Sequence, residues 1–162
     1  MLFRSHLPGE AATLALGARL APAVRPGMSI HLCGELGAGK TTLARGLIQA
    51  LGHAGKVKSP TYSLVELYTV SRLDLYHFDF YRFDGPKSWQ DSGFREHFNA
   101  ASVCLVEWPE RAGAALPPPD LRITLAPADS GRDARLEAFT EAGRQCLTSL
   151  ADLASDPGCA PA

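Results

Sequence analysis

The residues with the clearest chemical meaning are Gly34-Glu35-Leu36-Gly37-Ala38-Gly39-Lys40-Thr41. They follow the spacing glycine, four residues, glycine, lysine, serine or threonine. That spacing is built to hold a polyphosphate. Gly34, Gly37 and Gly39 permit backbone angles that turn successive N–H groups inward, making a nest the size of an anion. A helix starting near Lys40 aims the positive end of its dipole at the same point. Within such a loop Lys40 reaches the β- and γ-phosphates, and the Thr41 hydroxyl ligates Mg²⁺. The nucleotide-contact set therefore runs from Gly34 through Glu35, Leu36, Gly37, Ala38, Gly39, Lys40 and Thr41 to Thr42, with backbone groups doing the cradling. The expected ligands are ATP and Mg²⁺.

Such a loop does not hydrolyse a nucleotide unaided. It needs a carboxylate at the end of a neighbouring strand, close to the metal. The apolar run that ends in an acid is Ser102 to Val106, followed by Glu107. An aspartate is usual there, and the longer glutamate still reaches the metal shell. The competing reading of Glu107 is an acid that caps the helix after Trp108. A second acid, Asp79, lies in His77-Phe78-Asp79-Phe80-Tyr81-Arg82. Strand alternation puts His77, Asp79 and Tyr81 on one face and Phe78, Phe80 and Phe83 on the other, core-facing one. Asp79 then either orders water or the metal shell beside the phosphates, or decorates a solvated edge strand. The loop Ser59-Pro60-Thr61-Tyr62 reads first as a plain turn, although a loop at that point can sense a γ-phosphate.

The elements that must position these groups are also visible. Gly9 to Ala21 has the apolar spacing of a short helix ended by Pro22. Met28 to Cys33 reads as a strand, and Lys40 to Leu51 as a helix stopped by Gly52. Tyr62 to Val70 and Leu73 to Tyr81 are rich in β-branched and aromatic residues and predict a hairpin joined near Ser71-Arg72. Gly85 to Asn99 predicts one or two short helices. Ser102 to Val106 predicts a buried central strand. Trp108 to Leu116 predicts a helix stopped by three prolines. Leu121 to Leu125 and Arg135 to Phe139 predict strands around Asp129-Ser130-Gly131, and Glu141 to Leu153 a final helix. The sum is an α/β fold, with one P-loop domain over residues 1–153 and a disordered tail over 154–162.

Composition agrees with that class. The chain has 162 residues, 46% apolar and 20% charged, enough for one domain with a sizeable core. No apolar stretch approaches the roughly 18 residues that span a bilayer, so no membrane partner is expected. No secretory signal is visible, and the natural class is a cytoplasmic enzyme. The net charge of −1 argues against a bulk attraction to DNA or other nucleic acid. Cys33, Cys104, Cys146 and Cys159 form no Cys-x-x-Cys pair or zinc spacing. Cys33 and Cys104, in apolar runs, read as reduced buried thiols.

Four segments in one order carry a more specific signal. They are Gly34 to Thr42, Val57-Lys58-Ser59-Pro60-Thr61-Tyr62, His77-Phe78-Asp79-Phe80-Tyr81-Arg82, and Val106-Glu107-Trp108-Pro109. Together they closely resemble the TsaE (formerly YjeE) family, the bacterial ATPases of tRNA threonylcarbamoyladenosine synthesis. The likeness extends from about Thr13 to Gly131-Arg132-Asp133-Ala134-Arg135. It implies a single-domain P-loop NTPase fold with a mixed central β-sheet flanked by helices. It also implies a role with TsaB, TsaD and TsaC in modifying adenosine 37 of tRNAs that read ANN codons. In that family the ATPase does not transfer the group. It binds the TsaB–TsaD complex near the TsaD active site, and its ATP turnover resets that complex, so tRNA is met indirectly. Carried over by motif, Thr41 and Glu107 are Mg²⁺ positions, Lys40, Asp79 and Glu107 are catalytic, and Thr13 and Arg132 lie near the nucleotide. Glu35 stands where an Asp is common.

Two other readings share the P-loop. A small-molecule or nucleoside kinase would need an acceptor pocket and an arginine-bearing lid, and no convincing lid insertion is seen. A GTPase switch would need an Asn/Thr-Lys-x-Asp segment, which the sequence lacks.

Overall fold

The structure is a computed structural model and describes residues 1–155. Its sheet has seven strands. They are β1 (Leu2–Leu7), β2 (Ser29–Cys33), β3 (Val65–Val70), β4 (Leu73–Asp79), β5 (Ser102–Glu107), β6 (Leu121–Pro127) and β7 (Arg132–Ala138). The helices are α1 (Glu10–Leu20), α2 (Lys40–Ala50), α3 (Pro86–Ser92) and α4 (Glu141–Ser155). Short 3-10 segments lie at Ala21–Ala23, Phe94–His97 and Pro109–Ala115.

The strand order is β1-β7-β6-β2-β5-β4-β3. β6, β2, β5 and β4 run parallel, while β3, β7 and β1 join antiparallel. This is the mixed sheet of a P-loop NTPase fold. A parallel interior must be covered on both faces, because its strands alternate between two apolar layers. β5 does so: Val103 and Leu105 join Leu43, Leu47 and Ile48 of α2 in the larger core. Cys104 and Val106 join Phe78, Phe80, Phe83 and Trp89 in a second, aromatic core beneath α3. The prediction for the Phe78, Phe80 and Phe83 face holds.

The same alternation positions the chemistry. Register pairs Leu32 with Glu107, and Glu107 with Asp79. The loop after β2, Glu107 at the end of β5 and Asp79 at the end of β4 thus meet at the carboxyl ends of three adjacent parallel strands, the usual ligand edge of such sheets.

Several boundaries differ from the sequence reading. β3 begins at Val65, not Tyr62, because the Leu64 N–H bonds back to the Pro60 carbonyl at 2.7 Å and closes a turn. β4 ends at Asp79, not Tyr81, because the Tyr81 N–H turns to Asp79 Oδ1 at 2.9 Å. Trp108 to Leu116 is not an α-helix: its 3-10 turns are broken at Gly113. The segment 154–162 expected to be disordered falls mostly outside the described residues, and 154–155 continue α4. Among the described residues, no helix is long and apolar enough to cross a membrane.

Candidate functional site

The loop between β2 and α2 has the backbone its glycines predict. Gly34, Gly37 and Gly39 have φ of 145°, 77° and 107°, a region side-chained residues rarely enter. Gly39 occupies the cap position of α2 and brings no side chain to accept from the helix's first N–H groups. Those donors and the helix dipole then face the loop's hollow, which suits an anion. A Cβ on Gly34 would also collide with the Leu125 carbonyl, so β6 holds the loop tightly from behind.

Lys40 is almost completely buried. Its Nζ donates to the carbonyls of Gly34 at 2.6 Å and Glu35 at 2.8 Å. It also lies 4.1 Å from the centre of the Trp108 ring, a cation–π contact. Burial lowers its pKa, and the negative charges of Glu107, Glu110 and Asp79 oppose that shift. Trp108 reaches this place by adopting a left-handed backbone, φ 56°. That conformation is costly for a bulky side chain and recurs at ligand sites.

Thr41 Oγ1 donates to Glu107, at 2.9 Å from Oε1 and 3.1 Å from Oε2. The helix-cap reading of Glu107 fails, because its carboxylate is turned to the P-loop threonine. Glu107 Oε1 also accepts from His77 Nε2 at 2.8 Å, with both side chains buried. The hydroxyl and carboxylate that would share a metal ion are already side by side. Among the described residues there is no cluster of three or more His, Cys, Asp or Glu, so a cation here would draw its remaining ligands from phosphate and water. The donor set suits Mg²⁺, a hard ion that keeps several waters.

Asp79 is 2% exposed and sits on an interior strand, which rules out the solvated-edge alternative. Its Oδ2 accepts from Ser59 Oγ at 3.1 Å and Thr61 Oγ1 at 3.2 Å. Ser59 and Thr61 hydroxyls lie 2.7 Å apart. The Ser59–Tyr62 loop is therefore more than a turn: two of its hydroxyls are tied to the buried acid.

These groups face one cleft of about 340 Å³. Leu36, Gly37, Gly39, Lys40, Thr41, Thr42, Asp79, Glu107 and Arg132 all line it. Arg132 Nη1 donates to the Ala38 carbonyl at 3.0 Å, and its guanidinium fills the space a Cβ on Gly39 would need. Gly34 and Glu35 contribute carbonyls to Lys40, and Ala38 one to Arg132. Thr13 is not in the cleft lining. It is buried in α1 and its hydroxyl donates to the Gly9 carbonyl at 3.1 Å. Glu10, one turn earlier, does line the cleft and pairs with Arg45 at 3.6 Å. Sequence reasoning put Tyr81 on the polar face with Asp79 but gave no role to Glu10 or Trp108 as wall residues. For Trp108 the signal was its place directly after the strand-end acid.

Of the cysteines, Cys104 is buried and Cys33 half-buried. Burial pushes their thiols up to about 12 and about 11, so both are inert at neutral pH.

Comparison with known proteins agrees with this geometry. The family model described as "Threonylcarbamoyl adenosine biosynthesis protein TsaE" matches residues 7–135. The chain is 38% identical over 152 residues to the "tRNA threonylcarbamoyladenosine biosynthesis protein TsaE" of Haemophilus influenzae, covering 91% of this chain and 96% of that one. It is 38% identical over 133 residues to the protein of the same name from Bacillus subtilis, covering 82% of each. The crystal structure of Bacillus subtilis YdiB superposes with a TM-score of 0.82 at 28% identity, over 96% of this chain and 97% of that one. With the motifs, the strand order and the cleft in agreement, this chain belongs to the TsaE family.

Proposed function

We propose that this chain is a Mg²⁺-dependent ATPase that supports threonylcarbamoyl modification of tRNA adenosine 37 by acting on a TsaB–TsaD complex. The observation that carries the ATPase reading is the hydrogen bond between Thr41 and Glu107 at the mouth of the glycine nest. A buried carboxylate against the P-loop hydroxyl has no structural need there, whereas a phosphate-bound cation would use both. The tRNA role rests on family membership and on the names its relatives carry.

In this reading the nest N–H groups and the start of α2 bind the phosphates, and Lys40 leaves its carbonyl partners to pair with them. Arg132, bonded to the Ala38 carbonyl, stiffens the loop and adds a second positive charge to the cleft. Thr41 and Glu107 hold Mg²⁺, which when bound neutralises charge developing on the phosphate oxygens. Asp79, fixed by three donors, orients the attacking water. Excluding water and screening solvent falls to Trp108 and Tyr81 at the rim.

The test is ATP hydrolysis with and without Mg²⁺, together with capture of TsaB and TsaD by the tagged protein in the presence of ATP. Metal-dependent release of phosphate and recovery of both partners support the reading. Transfer of phosphate to a small acceptor instead of water would replace it with the kinase reading.

A further inference from the structure

His77 is a buried neighbour of the site whose chemistry the reading above leaves unused. It is completely buried in β4. Its Nε2 meets Glu107 Oε1 at 2.8 Å, while its Nδ1 is buried with no partner among the described residues. Only a carboxylate oxygen faces Nε2, so Nε2 carries the hydrogen and donates it. The arrangement is directional: the ring's one hydrogen bond goes to the Glu107 carboxylate.

Glu107 explains the need. Where an aspartate would reach the metal on a short side chain, glutamate has one more rotatable bond and one more way to point. Its carboxylate is buried and shared with Thr41, and a metal site needs that orientation fixed before the ion arrives. His77 sits two residues before Asp79, which is in register with Glu107, and so reaches Oε1 from the neighbouring strand.

We propose that His77 is a positioning residue for the metal shell: its Nε2–H holds the Glu107 carboxylate beside Thr41, and so sets the divalent-cation affinity of the protein–nucleotide complex. The inference rests on the assignment of Thr41 and Glu107 as metal positions. Partners of this kind typically change metal affinity by about 10- to 100-fold.

The experiment compares His77→Leu, which lacks a donor, with His77→Gln, whose amide nitrogen can occupy the place of Nε2. Two quantities are read on folded protein, checked by thermal unfolding. One is the Mn²⁺ affinity of the ADP complex, from the free-Mn²⁺ EPR signal. The other is ADP affinity in EDTA. The expected result is at least about tenfold weaker Mn²⁺ binding in His77→Leu, recovery to within about threefold in His77→Gln, and ADP affinity in EDTA within about twofold for both. A folded His77→Leu that binds Mn²⁺ like wild type overturns the proposal, as does a His77→Gln no better than His77→Leu. If His77→Leu does not fold, His77→Asn replaces it, because its amide stops one bond short of Glu107. Equal Mn²⁺ affinity in the Asn and Gln variants then overturns it. Glu107→Gln separates the two levels. If it leaves Mn²⁺ affinity unchanged, the metal assignment itself fails; if it weakens binding and His77→Leu does not, only the present inference fails.

Discussion

In the proposed mechanism Lys40 and Glu107 divide the work of the site in a way that two substitutions can resolve. Lys40 is the one lysine in the cleft, and burial has already stripped its ammonium of water. Its present partners are two neutral carbonyls and an aromatic face, all weaker than a phosphate anion. Lys40→Ala should therefore weaken ATP binding by at least about 100-fold, since charge-assisted bonds are each worth roughly 1.5–3 kcal/mol. Isothermal titration measures it, and unchanged affinity in a folded variant would remove the P-loop assignment. Glu107→Gln keeps the size of the side chain and an acceptor for Thr41 but loses the charge. Nucleotide should still bind within about threefold, while hydrolysis at saturating Mg²⁺ should fall by about 10- to 100-fold or more. Hydrolysis within twofold of wild type would leave Glu107 as a structural acid.

Helices α1 and α2 approach closely through two glycines. A Cβ on Gly17 would strike the Leu43 carbonyl, and one on Gly46 would strike the Leu14 carbonyl. Both glycines lie inside helices, where they cost about 1 kcal/mol each relative to alanine, so the close approach must return more than that. Gly46→Ala should destabilise by about 1–3 kcal/mol despite its better helix propensity, and chemical denaturation reads the sign. A stabilised variant would show that the helices can separate freely. β2 carries a second test. Burial, helped by the charge of Arg122 and opposed by Asp120, lowers the pKa of His31 from 6.5 to about 4. The unfolded chain then binds more protons than the folded one between those values, so stability is full above about pH 6.5 and falls as pH drops towards 4. The loss from pH 7 to pH 5 is about 2 kcal/mol, and His31→Leu should abolish that slope in urea titrations. The elements around the site were legible because their signals are local: glycine spacing for the loop, an apolar run ending in Glu107 for β5, and alternation for His77 and Asp79. β1 was not, because its partner is β7 at the far end of the chain and its own pattern is half exposed. The hairpin at Ser71-Arg72 was legible from the β-branched and aromatic runs on either side and not from its turn, where φ of 48° and 63° sit on residues that do not favour them. The Ser59–Thr61 contact with Asp79 was hidden for the same reason as β1: it is a meeting of distant segments. Thr13, placed near the nucleotide by resemblance, lies in α1 one turn after the cleft residue Glu10, with its hydroxyl bonded to the Gly9 carbonyl.

At the scale of the whole molecule the positive charge of the cleft lies on its P-loop side. Its lining has two fixed cations, Lys40 and Arg132, and both are committed to the P-loop. The Asp79 wall offers Ser59, Thr61, Tyr81, Glu107 and Trp108 but no arginine. Phosphoryl transfer is mostly positioning and charge stabilisation, and fast enzymes add an arginine or a water-orienting group, often from a partner. The two arginines nearest in sequence to that wall stack on aromatic rings and do not line the cleft themselves: Arg82 lies 4.2 Å over the Tyr62 ring, and Arg111 lies 5.3 Å over Tyr81 and 5.8 Å over Trp108. The rim also exposes Leu36 by 77%, Tyr62 by 84% and Tyr81 by 39%. Aromatic side chains with arginines beside them are the composition of interface anchors. A protein docked there would cover the apolar rim, exclude water and hold the Ser59–Tyr62 loop in its existing contact with Asp79. The isolated chain should thus bind nucleotide well and turn it over slowly, and TsaB–TsaD should raise turnover by about 100-fold or more, the lower end of what one added catalytic group supplies. Free tRNA alone should change nothing, since the chain's net charge is −1 and gives no bulk attraction to it. Steady-state phosphate release for the protein alone, with TsaB–TsaD, and with tRNA alone decides the matter. Rapid turnover in isolation, indifferent to TsaB–TsaD, would show the cleft to be complete as it stands and would return the independent-ATPase and kinase readings to the front.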